Sequence, residues 1–243
     1  MEVEERNKME AEFIAKSLNL PKGSKLLDVG CGYARHAVYL AKMGYEVTCV
    51  DISDYLLNEA QKRIKQFNVE DKVRIIKMDM RKMDFKNEFD GVYIFYTTFG
   101  YFNDEENILV LRKMAQALKP NGKLLVDLAN PIPLLVGAYN TSIIARGRTT
   151  RKIWWESGEY NVLEEIYIDL INARWIIKRT FLRKPSMEIV GERKAVVRLY
   201  MPYEIKQLIS RENLIVLDIY GGYEGERYTA SSRRLIIIAK KSE

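Results

Sequence analysis

Three carboxylates and two glycines carry the chemistry this sequence offers. Asp28 lies in a strand-like run, Lys25–Val29, directly before the glycine-rich GCGYA at 30–34. Asp51 follows a second run, Glu46–Val50, and Asp79 ends a third, Val73–Met78. Gly30 and Gly32 allow a sharp turn and close approach to a ligand, which the N–H groups opening the next helix then face. A carboxylate beside such a loop repels a pyrophosphate and attracts an ammonium group. The familiar phosphate loops do not fit, since GxGxxG from Gly30 would need glycine where Arg35 stands and no GK[ST] follows. Asp51 can accept hydrogen bonds from both hydroxyls of a ribose, and Asp79 from the exocyclic amine of an adenine.

Any one of these aspartates could simply cap a strand. Three at successive strand ends imply a ligand with an amine, a ribose and an adenine but no phosphate, which is S-adenosyl-L-methionine. The elements that must position them follow an alternating rhythm. A helix over 3–18 precedes the first strand. A second helix runs from the glycine loop through Lys42 to Gly44, and a third, capped by Ser53, reaches about Phe67. A fourth strand, Phe89–Phe95, leads to a helix capped by Asn103 with Ile108, Leu111, Ala115 and Leu118 on one face. The turn KPNG at 119–122 opens a fifth strand, Lys123–Leu128, and Asn130-Pro131-Ile132 reads as loop. The expected fold is α/β, with a parallel sheet between helices.

From about residue 140 the pattern changes. Stretches at 151–157, 160–170, 174–184 and 188–200, with a turn at INAR 171–174, predict an inserted antiparallel sheet. Pro202 then opens a helix through Ser210, and Ile215–Tyr220 and Leu235–Ala239 return to the main sheet. The expected organisation is a cofactor-binding core at 1–139, an insertion at 140–200 acting as lid and specificity element, and a return to the core at 201–243.

These motifs resemble the class I S-adenosylmethionine-dependent methyltransferases, in particular the small soluble group with a β-rich insertion before the last two strands. LLDVGCGYARHAVYLAKMGYEVTCVDIS resembles the family's first two motifs, with Ala34 for the usual third glycine, a methyl expected to narrow the loop slightly. KMDMRKMDF, FDGVYIFYTTFGYF, LKPNGKLLVDL and the final helix and strand pair resemble later motifs. The resemblance implies a Rossmann-like seven-stranded sheet in order 3-2-1-4-5-7-6, with the last strand antiparallel. It implies cofactor contacts from Asp28, Gly30, Cys31, Gly32, Asp51, Ile52, Asp79, Met80, Phe95 and Tyr96, and S-adenosyl-L-homocysteine as product. Tyr33, Thr98, Tyr101 and Asp127 are candidates for the acceptor side. His36 and Tyr101 are weak catalytic candidates, because a sulfonium methyl is already activated and needs alignment more than a base. Many relatives place a tyrosine near the N-terminus over the active site, whereas here none precedes Tyr33.

The acceptor is less legible. No [DN]PP[YF] follows the fourth strand, where YTTFG stands, and no Pro-Cys nucleophile occurs, which disfavours DNA or base-amine methylation. Residues 141–200 hold 12 Lys/Arg and 7 Asp/Glu, +5 of the chain's +6, so an RNA or phosphorylated acceptor stays open. The expectation is nitrogen or oxygen methylation of a small molecule, by a monomer or homodimer. An RNA methyltransferase is the alternative, then a non-catalytic cofactor-binding subunit, with a nicotinamide oxidoreductase last. Two cysteines and no leader-like N-terminus suggest a reducing cytoplasm, and one histidine speaks against a metal. Abundant Lys, Glu, Arg and Ile hint at a thermophile, and no apolar run is long enough to span a membrane.

Overall fold

Every second residue of the central strands belongs to a different core. In the computed structural model, which describes residues 3–140, 144–145 and 148–242, Leu26 packs with one apolar cluster, Leu27 and Val29 with another. Ile236 and Ile238 likewise join the first cluster, and Leu235, Ile237 and Ala239 the second. Strands buried on both faces need helices on both sides.

In chain order the elements are α1 (Val3–Leu18), β1 (Lys25–Val29), α2 (Ala37–Lys42), β2 (Glu46–Asp51), α3 (Asp54–Gln66), β3 (Val73–Lys77), β4 (Phe89–Ile94), α4 (Asp104–Ala117), β5 (Leu118–Ala129), α5 (Pro131–Asn140), β6 (Ile144–Ala145), β7 (Arg148–Ser157), β8 (Tyr160–Asp169), β9 (Arg174–Arg183), β10 (Glu188–Arg198), α6 (Pro202–Arg211), β11 (Leu214–Tyr220) and β12 (Arg234–Lys241). The main sheet runs β11-β12-β5-β4-β1-β2-β3, and the second runs β10-β9-β8-β7-β6. Strands β1 to β5 pair in parallel, while β12 is antiparallel to both β5 and β11. This is the expected order, with the antiparallel sheet inserted after β5. No helix among the described residues is long and apolar enough to cross a membrane.

Ser53 and Asn103 cap as expected, accepting from the backbone N–H of Leu56 and Glu106. Four local expectations need correction. Asn130-Pro131-Ile132 is the start of α5, because the Asn130 side chain accepts from Ile132 N at 3.1 Å and Pro131 fits a first helical position. KPNG does not interrupt β5; a register shift against β4 and a left-handed Asn121 (φ 65°) absorb it. Regular helix after the glycine loop begins only at Ala37, since Tyr33–His36 form turns. Ile108 is only half-buried, whereas Val110, Leu111, Met114 and Ala115 form the buried face of α4.

Candidate active site

The C-terminal ends of β1 to β4 converge on two adjoining cavities, of about 560 Å³ and about 310 Å³. Backbone bonds fix the glycine loop first, as Gly30 N and Cys31 N both donate to Val50 O at the end of β2. Asp51 is then clamped between two backbone donors, Gly32 N and Ser53 N, each at 2.9 Å. Its remaining lone pairs stay available on the wall of the larger cavity. Gly30 has φ +73°, and a Cβ placed on it would stand 2.4 Å from Thr98 Cγ2 and 3.5 Å from Met80 Cε. Only a glycine lets these three segments meet.

Gly30, Gly32, Asp51, Ile52, Asp79, Met80, Tyr33, Thr98 and Tyr101 all line the larger cavity. Arg81 holds the Asp79 carboxylate through its backbone N–H (2.9 Å) and its guanidinium (2.6 Å), keeping the carboxyl below its usual range. Asp79 would therefore share an adenine amine with an existing ion pair. Arg81 continues to Glu106 at 2.6 Å and lies over the Phe102 ring.

Asp28, Cys31, Phe95 and Tyr96 meet in the smaller cavity, together with Gly30, Gly32, Tyr33, Thr98 and Tyr101. Asp28 is buried, and its Oδ2 has no hydrogen-bond partner. Burial pushes its carboxyl up to about 7. The same cavity holds Arg6 and Arg35, which the sequence reading passed over. A buried carboxylate with one unpartnered oxygen, beside two guanidinium groups, fits the ammonium and carboxylate of an amino-acid moiety, and such a ligand's need for a cation is the signal that could have found them. Arg35 also stacks on Tyr96 at 4.7 Å.

His36 lies on this wall, edge-on to Phe95, with Nε2 2.9 Å from Oε2 of the fully buried Glu10. Burial drives the imidazole down to about 4. Burial would raise Glu10, but His36 and Arg35 hold it below the usual range, so it is ionised and the neutral ring donates to it.

Asp127 lines neither cavity. It is fully buried and accepts from Arg234 Nε at 2.7 Å, Tyr96 N at 2.8 Å and Tyr223 Oη at 2.9 Å. It does not take the acceptor-side place expected of it, because its carboxylate is taken up by these three donors while its carbonyl accepts from Thr97 N at 3.0 Å; Tyr96 and Thr97 are both left-handed (φ 58° and 65°). Ala34 also departs from expectation. It lines neither cavity, so its methyl does not narrow the loop and instead sits on a residue at φ 58°.

The fold is one that solved methyltransferases share. Residues 26–122 match the family model described as a methyltransferase domain. The chain is similar to the cypemycin N-terminal methyltransferase of Streptomyces sp, with 26% identity over 90% of this chain and 84% of that protein. With YqeM of Bacillus subtilis (strain 168) the identity is 30% over 45% of this chain, and the match spans about half, 44%, of that protein. Among solved structures, the CcbJ methyltransferase of Streptomyces caelestis superposes with a TM-score of 0.82 at 20% identity, over 98% of this chain and 90% of that one. Residues 26–122 thus carry a methyltransferase domain, set in a fold that solved methyltransferases share.

Proposed function

We propose that the protein methylates a nitrogen of a small-molecule amine, with the cofactor's nucleoside in the larger cavity and its amino-acid end in the smaller one. Bound S-adenosylmethionine supplies an electrophilic methyl on a sulfonium. Asp51 holds the ribose hydroxyls, Asp28 the ammonium, and Arg6 and Arg35 the carboxylate, while Ile52 and Met80 flank the adenine. Tyr33, Thr98 and Tyr101 line both cavities and face the acceptor.

The observation that carries nitrogen over oxygen is that Asp28, the one carboxylate among the described residues lining the smaller cavity, is committed to the ammonium, which leaves no free base beside the methyl. His36 is pushed down to about 4 and tied to Glu10, and Tyr101 is pushed up by burial. An alcohol would need such a base, whereas an amine can lose its proton to water and attack as the neutral form. The cypemycin enzyme, named for an N-terminal methylation, supports the same reading. Transfer of labelled methyl to a panel of amines, matched alcohols and RNA tests it. Label in the alcohols or RNA but in no amine would reject it.

Two binding results are expected. Asp51→Ala should weaken S-adenosylhomocysteine by roughly 1.5–3 kcal/mol, as a charge-assisted bond to the ribose is lost; unchanged calorimetric affinity in a folded variant would reject this role. Asp28 is largely protonated in the free protein below about 7 and must ionise to meet an ammonium. Binding near pH 6 should therefore release a proton and tighten as pH rises through 7. Titrations in buffers of different ionisation enthalpy read the proton count, and zero release at pH 6 would refute the pairing. The sign for the free protein is opposite. A raised carboxyl favours the folded state at low pH, and that contribution fades as pH climbs from about 4 to about 7.

A further inference from the structure

We propose that the acceptor carries an anionic group, a carboxylate or a phosphate, held by Arg179 and Arg193 on the inner face of the second sheet. This rests on the methyltransferase reading above and adds the acceptor's chemistry. Strand alternation defines that face. Val162 of β8, Ile177 of β9 and Val197 of β10 are buried and share one side by their cross-strand register. The end of β10 is fastened to the loop after β4, where Arg198 N donates to Gly100 O at 2.8 Å. Val197 Cγ1 lies 3.3 Å from where a Cβ on Gly100 would stand. The next residue, Tyr101, lines both cavities.

Arg179 and Arg193 point from this same face, directly opposite one another across the β9–β10 pair. Like charges in that position repel. Glu164 is the one carboxylate pairing with either among the described residues, through Arg179 Nε at 2.6 Å. Arg193 instead lies over the Phe181 ring at 5.9 Å. The opposite face sets Lys152, Arg174, Lys178, Lys194 and Arg198 against Glu156, Glu165, Asp169 and Glu192, and these two arginines pair with Asp104 and Glu204 outside the sheet. Arg193, by contrast, pairs with no carboxylate among the described ion pairs. Arg179 is also close enough to Tyr101 to draw its phenol down against the upward push of burial. A guanidinium pair in which one carboxylate engages Arg179 alone is suited to bidentate capture of an oxyanion.

The test is calorimetric titration of inorganic phosphate into the S-adenosylhomocysteine complex at low ionic strength. Wild type, Arg179→Gln/Arg193→Gln and Glu164→Gln are compared. Phosphate should bind the wild type and lose about tenfold or more in affinity in the double variant, while Glu164→Gln, which frees Arg179, should bind it more tightly. S-adenosylhomocysteine affinity, unchanged in all three, reports correct folding. Equal phosphate affinity in wild type and double variant, or no phosphate binding by the wild type, would overturn the proposal. Failure of S-adenosylhomocysteine to bind would instead count against the cofactor reading, and phosphate titrated into the free protein would still interrogate the arginine pair.

Discussion

Arg234→Met should destabilise the fold by about 3–5 kcal/mol, the loss expected when one partner of a buried ion pair is removed. Asp127 is wholly buried, and Arg234 is its only cationic neighbour among the described ion pairs. Burial already pushes the Asp127 carboxyl up, with Arg234 opposing that push. In the variant the carboxyl would rise further and take up a proton. A raised folded pKa stabilises at low pH and is lost as pH climbs, so the defect should be largest near neutrality and shrink toward pH 4. Denaturant midpoints across that range measure it. Asp127→Leu/Arg234→Met should recover part of the loss, because no uncompensated charge remains. An unchanged midpoint in the single variant would show that the pair does not hold the strand ends together.

Gly30→Ala should weaken S-adenosylhomocysteine by roughly 10- to 100-fold, corresponding to about 1–3 kcal/mol of local strain. Two separate penalties act. The residue sits at φ +73°, and its new methyl would stand 2.4 Å from Thr98 Cγ2. Thr98→Ser removes that methyl while keeping the hydroxyl that donates to Phe95 O at 2.7 Å. The double variant should therefore regain the steric part and retain the backbone part. Equal binding by single and double variants would show that the loop, not Thr98, yields to the methyl.

The glycine loop and the two helix caps were legible because each is written locally, in a residue type that a turn or helix start requires, whereas the order of the main sheet came from the family resemblance. Asn130-Pro131 is ambiguous by residue type, because asparagine before proline suits a helix start as well as a turn. Asp127 shows the other limit. Its partners Tyr96, Tyr223 and Arg234 lie 31, 96 and 107 residues away, and no spacing rule reaches so far. Arg6 escaped for a similar reason, since it belongs to α1 and meets Arg35 and Asp28 only after α1 has packed. His36 was found by residue type, but its character depends on Glu10, 26 residues earlier.

The Asp127–Arg234 pair also bears on how the chain comes into being. Arg234 reaches Thr97 across 137 residues of sequence, and β12, which carries it, pairs between β5 and β11. A ribosome delivers the glycine loop before the strand that secures its neighbouring turn, and the whole second sheet emerges between them. Contacts so distant in sequence form slowly. During synthesis β5 waits with an unpaired edge that a neighbouring nascent chain could occupy. The insertion, standing between β5 and its eventual neighbour, therefore determines how long that edge stays open.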